Sequence, residues 1–212
     1  PGEDALAYTR HQFQLFERVC DAVEERTGKK IKLRHCANTG ATTLYPEMFM
    51  DMVRPGLLLY GYGPHAKMLG LKPVMSLKTT VSTIKIYPKG TKVSYGGIYT
   101  CDKTTRMGVV PIGYADGLVR NLSNRCSFIT KDGAAPQRGR ICMDMSMVDL
   151  TDCPHVDVGD ELEVFGPRQP IETLAELAGT IPYEITCGVS KRVPRLYVKN
   201  GEVIYKELLL RL

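Results

Sequence analysis

A few side chains in this sequence have chemistry to offer beyond packing. Tyr95, in Val93-Ser94-Tyr95-Gly96, carries a phenol. A free tyrosine has a pKa near about 10, so this one exchanges protons near neutral pH only beside cationic neighbours. Arg54, in Arg54-Pro55-Gly56-Leu57, carries a guanidinium. With a pKa above about 12 it keeps its proton and presents a fixed positive charge. Gly56 beside it lets the backbone come close to a phosphate. The amide of Met143, in Gly139-Arg140-Ile141-Cys142-Met143-Asp144, suits an anion without adding another titratable group. Each has an ordinary alternative. Tyr95 reads equally as a strand tyrosine capping a core edge, and Gly56 with Thr39 as turn and packing residues. Met143 reads as a core methionine, and His35 as a satisfied structural histidine.

Two textures of sequence have to position these groups. Residues 1–66 alternate helix-like and strand-like segments. Leu6, Phe13, Phe16, Cys20 and Val23 recur at helical spacing, and the pattern stops near Thr27-Gly28. Ile31–His35 reads as a short strand and Thr42–Phe49 as a short helix limited by Pro46. Met52-Val53 and Leu57–Tyr60 read as a second strand interrupted at Arg54-Pro55-Gly56. Strand, helix, strand suggests parallel β/α units, and two units cannot close a barrel. Residues 67–212 are instead β-rich. Their runs are separated by Lys89-Gly90, Asp132-Gly133, Gly159-Asp160 and Asn200-Gly201. Asn200-Gly201 predicts a two-residue hairpin between Arg195–Lys199 and Glu202–Lys206, since both turn residues tolerate positive φ. A helix over Ile171–Ala178, closed by Gly179, interrupts a small antiparallel barrel or sandwich.

The 212 residues allow one or two domains, and 43% hydrophobic with 24% charged residues is an ordinary globular balance. The net charge of +5 is scattered along the chain. It forms no concentrated basic face, so a nucleic-acid partner is not expected. Mild basicity suits anionic small molecules. Seven cysteines without a CxxC pair argue against a disulfide framework or zinc ribbon. No metal is expected, and reduced thiols in a cytoplasm are the simpler account. No membrane span or signal peptide is apparent. Pro1-Gly2-Glu3-Asp4 follow no initiator methionine and read as a cut inside a longer protein.

The ordered strings His35-Cys36-Ala37-Asn38-Thr39, Arg54-Pro55-Gly56-Leu57, Val93-Ser94-Tyr95-Gly96 and Gly113-Tyr114-Ala115-Asp116-Gly117 resemble the alanine racemase family. So do Gly139–Asp144, Tyr183-Glu184 and Arg192-Val193-Pro194-Arg195. The resemblance covers nearly the whole chain. It implies a fold that is α/β plus all-β, the incomplete C-terminal end of a (β/α)8 barrel over 1–66 followed by an antiparallel β-barrel-like domain over 67–212. It also implies an isomerase that uses pyridoxal 5′-phosphate to interconvert L- and D-alanine, feeding D-alanine to peptidoglycan precursors.

By the same resemblance, Thr39, the amides of Gly56 and Leu57, and Tyr183 bind the cofactor phosphate. Arg54 faces the pyridine nitrogen, with His35 supporting it in a hydrogen-bonded row. Tyr95 is the catalytic base supplied by the β-domain, and the Met143 amide binds the substrate carboxylate. Tyr114, Arg120, Arg140, Asp144 and Ile181 line the route by which substrate reaches the site. The family implies a head-to-tail homodimer with shared sites. Its cofactor lysine lies in a motif resembling Lys-Ala-Asn-Ala-Tyr-Gly, which does not occur here, so this polypeptide by itself is expected to be inactive. Rival readings are a racemase of another small amino acid such as serine and a related decarboxylase of basic amino acids. A non-catalytic module that reuses the β-domain is a third.

Overall fold

The computed structural model describes residues 3–63 and 65–208. The chain divides into two compact units, Pro1–Lys72 and Pro73–Leu212.

In the first unit, helix α1 spans Glu3–Thr27 and ends at Gly28, whose φ of 63° takes the left-handed region. Leu6, Phe13, Phe16 and Cys20 lie on its less exposed side. Arg34 ties α1 to the segment that follows, reaching Asp21 at 2.8 Å and Glu24 at 2.9 Å. The Ile31 amide also donates to Glu24 Oε1 at 2.9 Å. Hydrogen bonds from Arg34 and Ile31, with the nearby positive charge, hold the Glu24 carboxyl below its usual range of 4.5. A depressed folded-state pKa stabilises the fold at pH values above the unfolded value, and that contribution disappears as pH falls through the folded one. Thermal melts from pH 7 to pH 3 should therefore lose this contribution only below about 4.5. Glu24→Gln should lower the melting point at pH 7 and flatten that acid limb.

The expected strand over Ile31–His35 forms no ladder among the described residues. The segment runs beside 51–54 in the same direction, with the Asp51 amide on the Arg34 carbonyl at 3.1 Å and the Arg54 amide on the Ala37 carbonyl at 2.8 Å. Two bonds three residues apart mark parallel neighbours but do not make a regular ladder. The expected helix over 42–49 starts earlier and splits in two: α2 spans Thr39–Leu44, and a 3₁₀ turn covers Pro46–Met48. Pro46 pushes Tyr45 out of helical geometry, to φ −134° and ψ 76°. The expected strand at Leu57–Tyr60 is a 3₁₀ helix over Gly56–Tyr60 instead. Gly56 at φ 51° turns the chain into it, and Gly61 at φ 72° closes it with a bond to the Leu58 carbonyl.

Nine strands of the second unit precede its α-helices. They are β1 (Leu77–Thr80), β2 (Thr83–Tyr87), β3 (Lys92–Val93), β4 (Tyr99–Thr100), β5 (Thr105–Val110), β6 (Ser127–Ile129), β7 (Ala134–Arg138), β8 (Ser146–Asp149) and β9 (Glu161–Phe165). Seven form an antiparallel sheet in the order β1-β9-β6-β7-β8-β5-β2, while β3 pairs with β4. The edges β1 and β2 are consecutive, and Val81-Ser82 carries the chain straight from one to the other. The Val81 amide bonds the Asp160 carbonyl and the Ser82 amide bonds that of Val109. The sheet thus curls on itself and covers its own edges. Alternation along β5 and β8 buries Val110 and Val148 on one face, while Met107 on the other packs with Val93 and Cys101. Helix α3 (Ile171–Ala178) adds Ile171, Leu174 and Ala175 to the buried set and ends at Gly179, φ 73°. Helix α4 follows over Pro182–Gly188. The hairpin β10 (Arg195–Lys199) and β11 (Glu202–Glu207) turns at Asn200 and Gly201, both with positive φ. No helix among the described residues is long and apolar enough to cross a membrane.

Candidate active-site groups

In the first unit the parallel segments end together, and their ends gather the predicted residues. Asn38 caps α2 by accepting from the Ala41 amide at 3.1 Å, which fixes Thr39 as the first helical residue. The Thr39 hydroxyl donates to the Pro55 carbonyl, joining the two ends. Next along the chain, the first turn of the 3₁₀ helix leaves the amides of Gly56 and Leu57 without helical acceptors. Arg54 is exposed, and its Nη2 donates to the Cys36 carbonyl at 3.1 Å. His35 Nδ1 is buried and has no hydrogen-bond partner among the described residues. The unit therefore brings Thr39, Arg54, Gly56 and Leu57 to one end, with a backbone carbonyl holding the guanidinium. A fixed cation and two amide donors placed together can take an anionic group and a neutral ring acceptor.

In the second unit the turn after β3 presents Tyr95. Ser94 holds φ 64°, and Gly96 and Gly97 also take positive φ. A non-glycine residue there costs energy, so its surroundings must hold it. The Ser94 hydroxyl donates to the Arg140 carbonyl at 2.7 Å. A Cβ on Gly139 would lie 2.8 Å from Ser94 Cβ, so only glycine lets the two loops meet this closely. Tyr95 is 74% exposed and does not enter the core of its own unit. Arg140 reaches the same turn, its Nε 3.7 Å from where a Cβ of Gly96 would be.

The 139–145 loop continues to Met143 and Asp144, both exposed. The Ala115 amide donates to the Met143 carbonyl at 3.0 Å and the Tyr114 amide to that of Cys142 at 3.0 Å. The Met143 amide has no hydrogen-bond acceptor among the described residues. Gly113 makes this contact possible, because a Cβ there would fall 2.3 Å from the carbonyl oxygens of Cys142 and Met143. Tyr95, Arg140, Met143, Asp144 and Tyr114 thus sit on three interlocked loops. Arg120 lies on the 3₁₀ turn Arg120–Leu122, joined to the same loop where the Ile141 amide meets the Ser123 hydroxyl at 3.0 Å. Ile181 precedes α4 and Tyr183 lies in its first turn, both exposed. The Gly188 carbonyl at the far end of α4 packs 2.5 Å from the Cβ position of Gly117.

One pairing was not legible in the strings that contain it. Arg192 donates through Nε to Asp116 at 2.7 Å and through Nη2 to Asp144 at 2.6 Å. The two carboxylates hold the guanidinium proton more firmly than usual. Asp116 in turn accepts from the Gly113 amide at 2.9 Å. This ion-pair node fastens the 113–117 loop to the loop of Met143. Arg192 is 76 and 48 residues from its two carboxylates, so only opposite signs in three separate strings hinted at it. No group of three His, Cys, Asp or Glu among the described residues could hold a metal ion.

Comparison with known proteins follows the same division. Residues 74–197 match the family described as "Alanine racemase, C-terminal domain", and residues 2–64 match "Alanine racemase, N-terminal domain". An alanine racemase of Clostridium tetani is 44% identical over 211 residues, covering 95% of this chain and 54% of that protein. Among solved structures, the alanine racemase of Clostridium difficile 630 in complex with cycloserine superposes with a TM-score of 0.89. It is 36% identical, with 96% of this chain and 56% of that one covered. The alanine racemase of D-cycloserine-producing Streptomyces lavendulae gives 0.84 at 36% identity, covering 91% of this chain and 52% of that one. The chain spans about half the length of the relatives it matches. Its fold is α/β plus all-β: the incomplete end of a (β/α)8 barrel, then an antiparallel barrel-like β-domain.

Proposed function

This chain belongs to the alanine racemase family, and on that premise we propose that the full-length protein containing it interconverts L- and D-alanine with pyridoxal 5′-phosphate. The observation that carries the reading is the turn at Tyr95. An exposed phenol stands on a strained turn, held by loops that also carry the unpaired Met143 amide.

The residues of the first unit fit the cofactor at two points. The open amides of Gly56 and Leu57 suit its phosphate, joined by Thr39 once its hydroxyl exchanges the Pro55 carbonyl for that group. Arg54, exposed and anchored by the Cys36 carbonyl, suits the pyridine nitrogen. When bound, the cofactor supplies an electron sink for the pair left as Cα loses its proton. Arg54 keeps its own proton and so leaves the ring nitrogen unprotonated, which weakens that sink and favours return of the proton to Cα. Tyr95 Oη removes or returns the proton on one face, and a lysine outside this sequence does so on the other. The Met143 amide holds the substrate carboxylate. Tyr114, Arg120, Arg140, Asp144 and Ile181 form the charged approach to it. Two copies pack head to tail, so that Tyr95 and Met143 serve the barrel of the neighbouring copy.

The test compares two proteins, each supplied with pyridoxal 5′-phosphate and offered alanine and serine. The full-length protein is expected to racemise alanine in preference to serine. The 212-residue chain alone is expected to show neither an internal Schiff-base absorbance nor turnover. Robust racemisation by the isolated chain, or a full-length protein inert toward alanine, defeats the proposal.

A further inference from the structure

We propose that Asn124 is a positioning residue for Tyr95, bracing the loop that bears the phenol against the loop that bears Met143; this rests on the catalytic reading given above. Asn124 sits at φ 61° between the two loops. Its Oδ1 accepts from the Gly139 amide at 2.6 Å, and its Nδ2 donates to the Ile98 carbonyl at 3.3 Å. Ile98 closes the turn that begins at Tyr95, and Gly139 packs against Ser94 at its start. One side chain therefore joins the far end of the Tyr95 turn to the residue that supports its near end.

The brace is itself held from below. Gln137 is fully buried, and its Oε1 accepts from the Asn124 amide at 2.7 Å. Its Nε2 donates to the Arg138 and Gly139 carbonyls at 3.1 and 3.0 Å. A buried amide with both ends satisfied has little freedom to shift, and its loss would strand several polar groups. Ser123 adds a second clasp, its hydroxyl accepting from the Ile141 amide at 3.0 Å and donating to the Arg120 carbonyl at 2.6 Å. A left-handed turn alone requires only glycine or asparagine. The two side-chain bonds to separate loops go beyond that requirement. Positioning matters here because a proton moves between Cα and a phenol only within hydrogen-bond reach.

Asn124→Gly separates the two roles, since glycine keeps the backbone conformation and removes both side-chain bonds. In the full-length protein it is expected to lower kcat by about 10- to 100-fold, the scale of a misplaced reacting group. The α-deuterium isotope effect should rise for one alanine enantiomer, the one whose proton Tyr95 takes, and not for the other. Asn124→Asp keeps the acceptor for Gly139 but loses the donor to Ile98. It sets a carboxylate oxygen against the Ile98 carbonyl, so it should show the same asymmetry, and it serves if the glycine variant fails to fold. A folded variant with kcat and both isotope effects unchanged, or changed equally for the two enantiomers, overturns the proposal. Tyr95→Phe measured alongside keeps the two ideas apart. If it leaves turnover intact, the catalytic reading fails; if it abolishes turnover while the Asn124 variants behave as wild type, only the positioning role fails.

Discussion

Replacing Tyr95 with phenylalanine in the full-length protein is expected to lower kcat for alanine racemisation by roughly 100- to 10,000-fold, the usual worth of a positioned acid or base. KM should stay within a few-fold, because the Met143 amide and the cofactor contacts are untouched. Stability should hardly change. Tyr95 is three-quarters exposed, and removing one exposed hydroxyl leaves no buried group unpaired. The combination is diagnostic. A structural tyrosine would cost melting temperature and leave turnover, whereas a proton carrier costs turnover and leaves melting temperature. Parallel thermal melts and initial rates with each enantiomer distinguish the two.

The second large effect concerns Arg54. Arg54→Glu replaces a group that never releases its proton with one that can share a proton with a ring nitrogen. Racemisation is expected to fall by about 100-fold or more, as when a preorganised charged partner is lost. A new product should also appear, about one pyruvate per cofactor: a protonated ring would hold the electron pair more strongly, the proton could return to the exocyclic C4′ carbon beside the ring, and hydrolysis would leave the amino group on the cofactor as pyridoxamine phosphate. Arg54→Lys should retain more racemisation and release no pyruvate, since it keeps the positive charge but loses the planar fork. A pyruvate assay on all three proteins reads this out. Lost racemisation in Arg54→Glu without any keto acid would remove Arg54 from its proposed place at the ring. Arg54 is exposed and makes one backbone bond through Nη2, so folding should be little affected.

Local signals made part of this architecture readable from sequence. The end of α1 is written in Thr27-Gly28, the end of α3 in Gly179, and the hairpin β10–β11 in Asn200-Gly201. In each case a residue that tolerates positive φ stands where the backbone requires one. The two expected strands of the first unit do not form, for a complementary reason. Ile31–His35 and Leu57–Tyr60 have strand-like composition, but a parallel strand exists only through its neighbours. The first has one backbone bond to the segment beside it, at Arg34, whose amide turns to the Asp51 carboxylate, and the second is drawn into a 3₁₀ turn by Pro55-Gly56. The candidate site divides in the same way. Tyr95, Arg54 and Met143 stood out by their chemistry and their strings. Asp116–Arg192 and Asn124–Gly139–Ile98 did not, because their partners meet only after the sheet has curled.

The central claim is that Tyr95 serves one face of Cα and an amine outside this sequence serves the other. It is tested most directly by following the α-hydrogen of each alanine enantiomer in D2O with wild-type and Tyr95→Phe full-length protein. The wild type should exchange the α-hydrogen of both enantiomers. The variant should still exchange that of one enantiomer while failing to convert it, and should leave the other unlabelled. Equal exchange of both enantiomers by Tyr95→Phe would contradict a division of labour between the two faces.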